Sequence, residues 1–289
     1  MDQAQQLRNV IKLKKQENKP NARVITVTSG KGGVGKSNVA VNLAIQMQKL
    51  GARVLIFDAD FGLANVEVMF GSVPQYNLAD VIYHGKNIRE VITEGPNGIG
   101  FISAGSGIAG LEDLAREQIL YLVQQLQELD QMADVIIVDT GAGISPHVLE
   151  FVMASPEVIL VTTPDPSSIT DSYSLIKILY KNPNFDPVRT ELYFLANKVL
   201  SEAEGRGVYT KLNAVVGQFL SGRLSYLGII PQDYALERSV RQQNPVSLMT
   251  PNSKSARAFE TVATKMMAPE KKVTGSERGI AHFFSRFLK

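Results

Sequence analysis

Residues 30–37 read Gly-Lys-Gly-Gly-Val-Gly-Lys-Ser, the G-x-x-x-x-G-K-[ST] spacing that cradles phosphate groups. The run follows an apolar β-like segment, Val24–Thr28, and opens a helix-like stretch, Ser37–Leu50, which is the strand–loop–helix context the pattern requires. Gly30, Gly32, Gly33 and Gly35, with Val34 among them, let main-chain N–H groups turn inward around phosphate oxygens. The following helix, with Asn38 in its first turn, adds the positive end of its dipole. Lys36 is expected to reach the β- and γ-phosphates, and the Ser37 hydroxyl to coordinate Mg2+. Lys31 is one lysine more than nucleotide binding needs.

Three carboxylates suit the same chemistry. Asp139 ends the apolar run Val135–Val138, where an acidic residue can hold a Mg2+-bound water, and the following Thr140-Gly141-Ala142-Gly143 is pliant enough to sense a γ-phosphate. Asp58 and Asp60 follow another apolar run, and their period-two spacing can aim both from one side of a strand end. Any one of them alone fits a turn or a helix cap. Three at strand ends behind one phosphate loop describe a Mg2+-nucleotide site.

The elements that must position these residues alternate along the chain. Strand candidates are Val24–Thr28, Arg53–Phe57, Ile99–Ser103, Val135–Val138, Val158–Thr163, Glu191–Ala196 and Leu224–Ile230, with helical patterns that include Leu114–Met132, Ser168–Tyr180 and Ala203–Leu220. Alternation of this kind predicts an α/β fold, a mostly parallel twisted sheet with helices on both faces. The strands are continuous apolar runs, as expected when both faces are buried. At 289 residues, 44% hydrophobic and 20% charged, the chain has room for one large core. It holds no cysteine and three histidines, which removes disulfides, thiolate metal sites and cysteine-ligated clusters and disfavours zinc. No apolar run nears the ~20 residues of a membrane span, and the start lacks a signal-peptide core, so a cytoplasmic protein is expected.

The ends differ from the body, and the expected division is 1–22, 23–268 and 269–289. Residues 1–23 hold six Lys/Arg against Asp2 and Glu17, and 265–289 hold six against Glu270 and Glu277. Each end is therefore +4 on a body of −6, which suits segments that meet partners or an anionic surface. Residues 2–16 can form a short helix, broken at Lys19-Pro20-Asn21. After a polar, breaker-rich connector, Ile280, Phe283, Phe284, Phe287 and Leu288 fall on one helical stripe beside Arg278, His282, Arg286 and Lys289. Such a stripe fits a core helix or an interfacial membrane helix. The connector, the terminal position and three phenylalanines favour the membrane, at the anionic inner face.

The loop with Lys31, the Asp58-x-Asp60 segment and the Asp139 segment resemble the deviant Walker A ATPases of the MinD/ParA type, over about residues 22–265. The resemblance implies a P-loop NTPase that binds ATP and Mg2+, with Lys31 crossing to the partner's nucleotide in an ATP-dependent homodimer. It implies Asp58 supporting Mg2+ and Asp60 positioning the attacking water. Asn197 matches the adenine-reading asparagine, and Pro231 the segment beside the base. Asp2, Gln3, Ala4, Leu7 and Arg8 resemble the DQAxxLR segment of the flagellar-regulator subfamily FlhG (YlxH), as do 162–166 and 169–173. That subfamily implies stimulation of the signal-recognition-type GTPase FlhF, contact with switch-complex proteins FliM and FliN, and peripheral attachment to the cytoplasmic face of the membrane. Gly141 stands where MinD-type proteins usually show proline, which argues against MinD itself. A MinD-like division-site or ParA-type partition ATPase is the alternative. DNA binding is disfavoured, because it needs phosphate-directed cations and no apolar stripe.

Overall fold

The computed structural model describes residues 21–60, 65–105, 114–268 and 279–288. Asp2, Gln3, Ala4, Leu7 and Arg8, and the side chain of Leu288, lie outside the described residues. Eight strands form one sheet: β1 (Arg23–Thr28), β2 (Val54–Ala59), β3 (Thr93–Glu94), β4 (Gly100–Ser103), β5 (Val135–Thr140), β6 (Glu157–Thr162), β7 (Glu191–Val199) and β8 (Ser225–Pro231). Their order is β3-β4-β2-β5-β1-β6-β7-β8, parallel except for β3 against β4. The expected α/β architecture is the one observed.

The main helices are α1 (Lys36–Lys49), α2 (Arg116–Met132), α3 (Pro146–Ala154), α4 (Pro166–Lys181), α5 (Glu202–Leu220), α6 (Tyr234–Arg241), α7 (Lys254–Met267) and α8 (Ile280–Ser285). Alternate strand residues feed opposite faces. Ile25, Val27, Ile56 and Ile137 pack with α1 and α7, while Val24, Leu55, Phe57, Ile136 and Val138 pack with α2 and α8. A third cluster joins β6 and β7 to α4 and α5. The central strands are buried on both faces, which is why their sequences show no polar alternation.

The C-terminal stripe is the main departure from expectation. Ile280, Phe283 and Phe284 are 0%, 2% and 0% exposed, and Phe287 is half-buried against the same cluster. The Phe284 ring lies 5.3 Å from Phe57 and 6.0 Å from Phe151, while Phe287 lies 5.4 Å from Phe151. Arg286 donates to the Met153 carbonyl at 3.0 Å. Among the described residues of the stripe, Ile280, Phe283, Phe284 and Phe287 thus occupy a groove of the body in this structure. The physical reason is complementarity: Phe57 on β2 and Phe151 on α3 offer aromatic partners at intramolecular concentration.

Candidate nucleotide-binding site

The phosphate loop leaves the end of β1 at the centre of the sheet and enters α1. Gly30 is required sterically, since a Cβ there would stand 2.2 Å from the Asp171 main chain. Gly35 has φ 98° and would press a Cβ to 2.4 Å from Asn197 Nδ2. These are approaches that only glycine permits. The loop therefore packs against α4 and β7 with its main chain open to a cavity of about 870 Å3.

That cavity gathers the expected residues. Gly32, Gly33, Gly35, Lys36, Ser37, Asn38, Asp60, Asn197 and Pro231 all line it. Val34 is buried and serves through its carbonyl, which accepts from Asn197 Nδ2 at 2.7 Å. Asn197 is 2% exposed, and its Oδ1 accepts from Lys198 N at 2.9 Å. Through Nδ2 Asn197 thus fixes the phosphate loop, with one amide hydrogen outside that bond. Lys31 lies beside a neighbouring groove with Thr163, Asp165 and Glu204.

The carboxylates divide their roles. Asp58 and Asp139 are register partners on β2 and β5, and both are buried. Asp58 Oδ2 accepts from Asn65 N at 2.9 Å and Val66 N at 3.0 Å, and Oδ1 from Asp60 N at 3.2 Å. Three of its roughly four lone-pair sites thus order the segment that follows β2. Burial, then repulsion from Asp139, pushes its pKa up against those N–H groups. Asp139 is fully buried, and neither oxygen has a hydrogen-bond partner of normal geometry. Burial raises its pKa too, while Lys36 and then Ser37 pull it down and Asp60 opposes them. Asp60 lines the cavity, with Oδ2 accepting from Asn65 Nδ2 at 3.2 Å.

An orphaned buried carboxylate beside a serine hydroxyl and a lysine is a donor set suited to Mg2+ held partly by phosphate oxygens and water. Among the described residues no group of three or more His, Asp or Glu could form a protein cage for a metal. Ser37 and Asp139 fit the ion best, and Asp58 fits less directly because it is engaged by main-chain donors.

Lys31 is committed within its own chain. Its ammonium donates to Asp165 Oδ2 at 2.9 Å and to the Ser167 hydroxyl. The contact with Lys31, then Ser167, pulls the Asp165 carboxyl down to about 2. Sequence reading singled out the segment 162–166 that holds Asp165 but gave Asp165 no such role, and it missed Ser167; the two lie 134 and 136 residues from Lys31. It also missed Lys198, whose φ of 58° aims an ammonium at the Gly33 carbonyl, 2.8 Å away. A lysine held in the left-handed region was the hidden feature, and nothing in the pattern Asn197-Lys198 signals it.

Known proteins resemble this chain over most of its length. The family described as ParA: NUBPL iron-transfer P-loop NTPase matches residues 21–267. Antiactivator FleN of Pseudomonas aeruginosa is 44% identical over 244 residues, covering 84% of this chain and 86% of that protein. Flagellum site-determining protein YlxH of Helicobacter pylori is 37% identical over 306 residues, covering 100% of this chain and 98% of its own length. The septum site-determining protein MinD of Pyrococcus horikoshii, solved with Mg-ADP, aligns at a TM-score of 0.66 over 86% of this chain and 96% of that one, with 23% identity. The loop, the strand-end carboxylates and these likenesses converge: the chain belongs to the ParA/MinD family of P-loop NTPases.

Proposed function

We propose that this protein is a Mg2+-dependent ATPase switch that governs flagellar number or placement. ATP joins two copies, Lys31 leaves Asp165 for the nucleotide of the other copy, and hydrolysis separates them. Lys36 and the loop N–H groups hold the phosphates, and Asp60 orients the attacking water. Mg2+ would be held by Ser37 and Asp139 and would neutralise charge on the phosphate oxygens. Residues 1–20 stimulate the signal-recognition-type GTPase FlhF, and the stripe at 280–288 inserts into the membrane when released. FliM and FliN are further partners on this reading. Similarity to FleN and YlxH supports the flagellar role.

One observation carries the switching mechanism. The loop after Asp139 leads directly into α3, and Phe151 on α3 contacts Phe283, Phe284 and Phe287. Movement of residues 140–145 toward a γ-phosphate therefore acts on the groove that holds the C-terminal helix. Among the described residues no helix is long and apolar enough to cross a membrane, and on this reading attachment is peripheral. Sedimentation with anionic vesicles tests the reading. Binding is expected with a non-hydrolysable ATP analogue and not with ADP; equal binding in both would sink it.

A further inference from the structure

The start of β1 meets the start of the C-terminal helix. Ala22 is fully buried, and its carbonyl accepts the Gly279 N–H at 3.0 Å. The Asp130 carboxylate on α2, itself 5% exposed, accepts the Ile280 N–H at 2.8 Å. The main-chain N–H groups of Ala281 and Ala22 also face this carboxylate and draw its pKa down against burial. Gly279 has φ 115°, and a Cβ there would stand 2.7 Å from Asp130 Oδ2 and 3.0 Å from Asn21 Nδ2. One residue further on, the Arg23 guanidinium forks onto Glu157 and donates to the Met266 carbonyl in the last turn of α7. Met266 and Gly279 are thus both bonded to the Ala22–Arg23 pair at the start of β1.

A buried carboxylate is costly unless its lone pairs are satisfied. Asp130 satisfies them with donors from opposite ends of the sequence. If α8 leaves, the donors from Ile280 and Ala281 leave with it, and the Ala22 carbonyl loses Gly279. Water can then enter from a cavity of about 480 Å3 lined by Asn21, Gln127, Asp130, Gln131 and His282. The Ala22 N–H would have to compete with that water for the carboxylate.

We propose that Asp130 is a clasp coupling Ala22, at the start of β1, to the C-terminal helix: docking of α8 fixes Ala22, and undocking releases it. Linkage makes the effect reciprocal, so a partner that binds residues 1–20 and frees Ala22 loosens the helix by the same factor. As regulation, this rests on the roles proposed above for the two ends. The clasp itself can be read without lipid, partner or nucleotide, so its failure and theirs are separable.

Amide hydrogen exchange of the full-length protein, resolved to peptides spanning 18–24 and 279–288, tests it. Phe284→Glu undocks the helix from its aromatic side without touching Asp130, and Gly279→Ala does so sterically. Protection across Val24–Thr28 reports that the sheet is intact. Either variant should raise exchange at Ala22 roughly tenfold to hundredfold, the range expected for losing hydrogen bonds to a charged group. In an Asp130→Asn background, Phe284→Glu should add little further at Ala22, the non-additivity of one shared network. Free exchange at 280–284 with Ala22 still protected as in wild type would overturn the clasp. Full additivity of the two substitutions would overturn it as well.

Discussion

Asp130→Asn isolates the docked state, because Asp130 sits on the body and takes no part in the stripe that would enter lipid. Burial of Ile280, Phe283 and Phe284 contributes ~1.5–3 kcal/mol each, or ~5–9 kcal/mol in all. Ordering the segment opposes this with ~1–2 kcal/mol per residue, so the apolar contacts alone leave docking near balance. The polar clasp then decides. Hydrogen bonds to a charged group contribute ~1.5–3 kcal/mol each, but burial offsets part of the gain and holds the Asp130 carboxyl above its ordinary range despite three main-chain donors. Asparagine, however, turns an NH2 group toward main-chain N–H donors, and leaving such buried donors unsatisfied costs ~2–3 kcal/mol. The undocked fraction should rise roughly 30- to 150-fold. In vesicle sedimentation with ADP, the variant should bind lipid nearly as well as wild type does with an ATP analogue. ADP-state binding equal to that of wild type, in a protein whose circular dichroism is unchanged, would refute the argument.

Other substitutions probe the remaining parts. Lys31→Ala should abolish ATP-dependent dimers in light scattering while leaving nucleotide binding in place, and Asp165→Ala, by freeing Lys31, should let dimers form at lower ATP. Burial raises the Asp58 and Asp139 carboxyls, so folding favours their protonated forms. Nucleotide-free protein should therefore lose stability as pH climbs from about 4 toward neutrality, where the unfolded chain has already released those protons. The thermal shift produced by Mg-ATP should accordingly be larger at high pH, and Asp139→Asn should raise the nucleotide-free Tm at high pH while removing that Mg2+-dependent gain. Gln3→Ala and Leu7→Ala should reduce stimulation of GTP hydrolysis by FlhF and leave the protein's own ATP hydrolysis unchanged.

The phosphate loop and the strand-end carboxylates were legible because their chemistry is local. A strand, a turn and a helix cap lie within a dozen residues, and glycine spacing records where the main chain must approach another group. Seven strands were legible as apolar β-branched runs, with ends displaced by a residue or two; β7 ran on to Val199 through a bulge. The two-residue β3 is too short to leave a pattern. Helix α3 carried a start signal in Ser145-Pro146, where the serine caps Val148 N at 3.4 Å, yet its importance lies in Phe151, which no periodicity reveals. The stripe at 280–288 was plain as a stripe. Its destination was not, because that depends on Phe57 and Phe151 sharing one side of the sheet, a non-local fact. The same holds for Lys31 and Asp165, and for Asp130, which reads in sequence as an ordinary polar position near a helix end.

Energetics explain why release of the helix should need the nucleotide. Undocking uncovers two surfaces, the stripe on α8 and the groove formed by Phe57, Phe151 and their neighbours, both 1% exposed at present. Lipid can cover the stripe but not the groove. Insertion therefore returns only about half of the apolar burial lost, and each large ring left bare costs ~1.5–3 kcal/mol. A membrane offered to the docked form cannot extract the helix on those terms, however anionic its surface. Something must first weaken the docked state, as Asp130→Asn does from the clasp side, and in the unaltered protein α3 is the wall to act on, since it follows the loop after Asp139 and is tied to the tail by Phe151 and the Met153 carbonyl. On the proposed function, a γ-phosphate drawing residues 140–145 inward would shift that wall and weaken the docked state before lipid is engaged. The burial of the groove then sets the order this reading predicts: nucleotide first, helix second, membrane last.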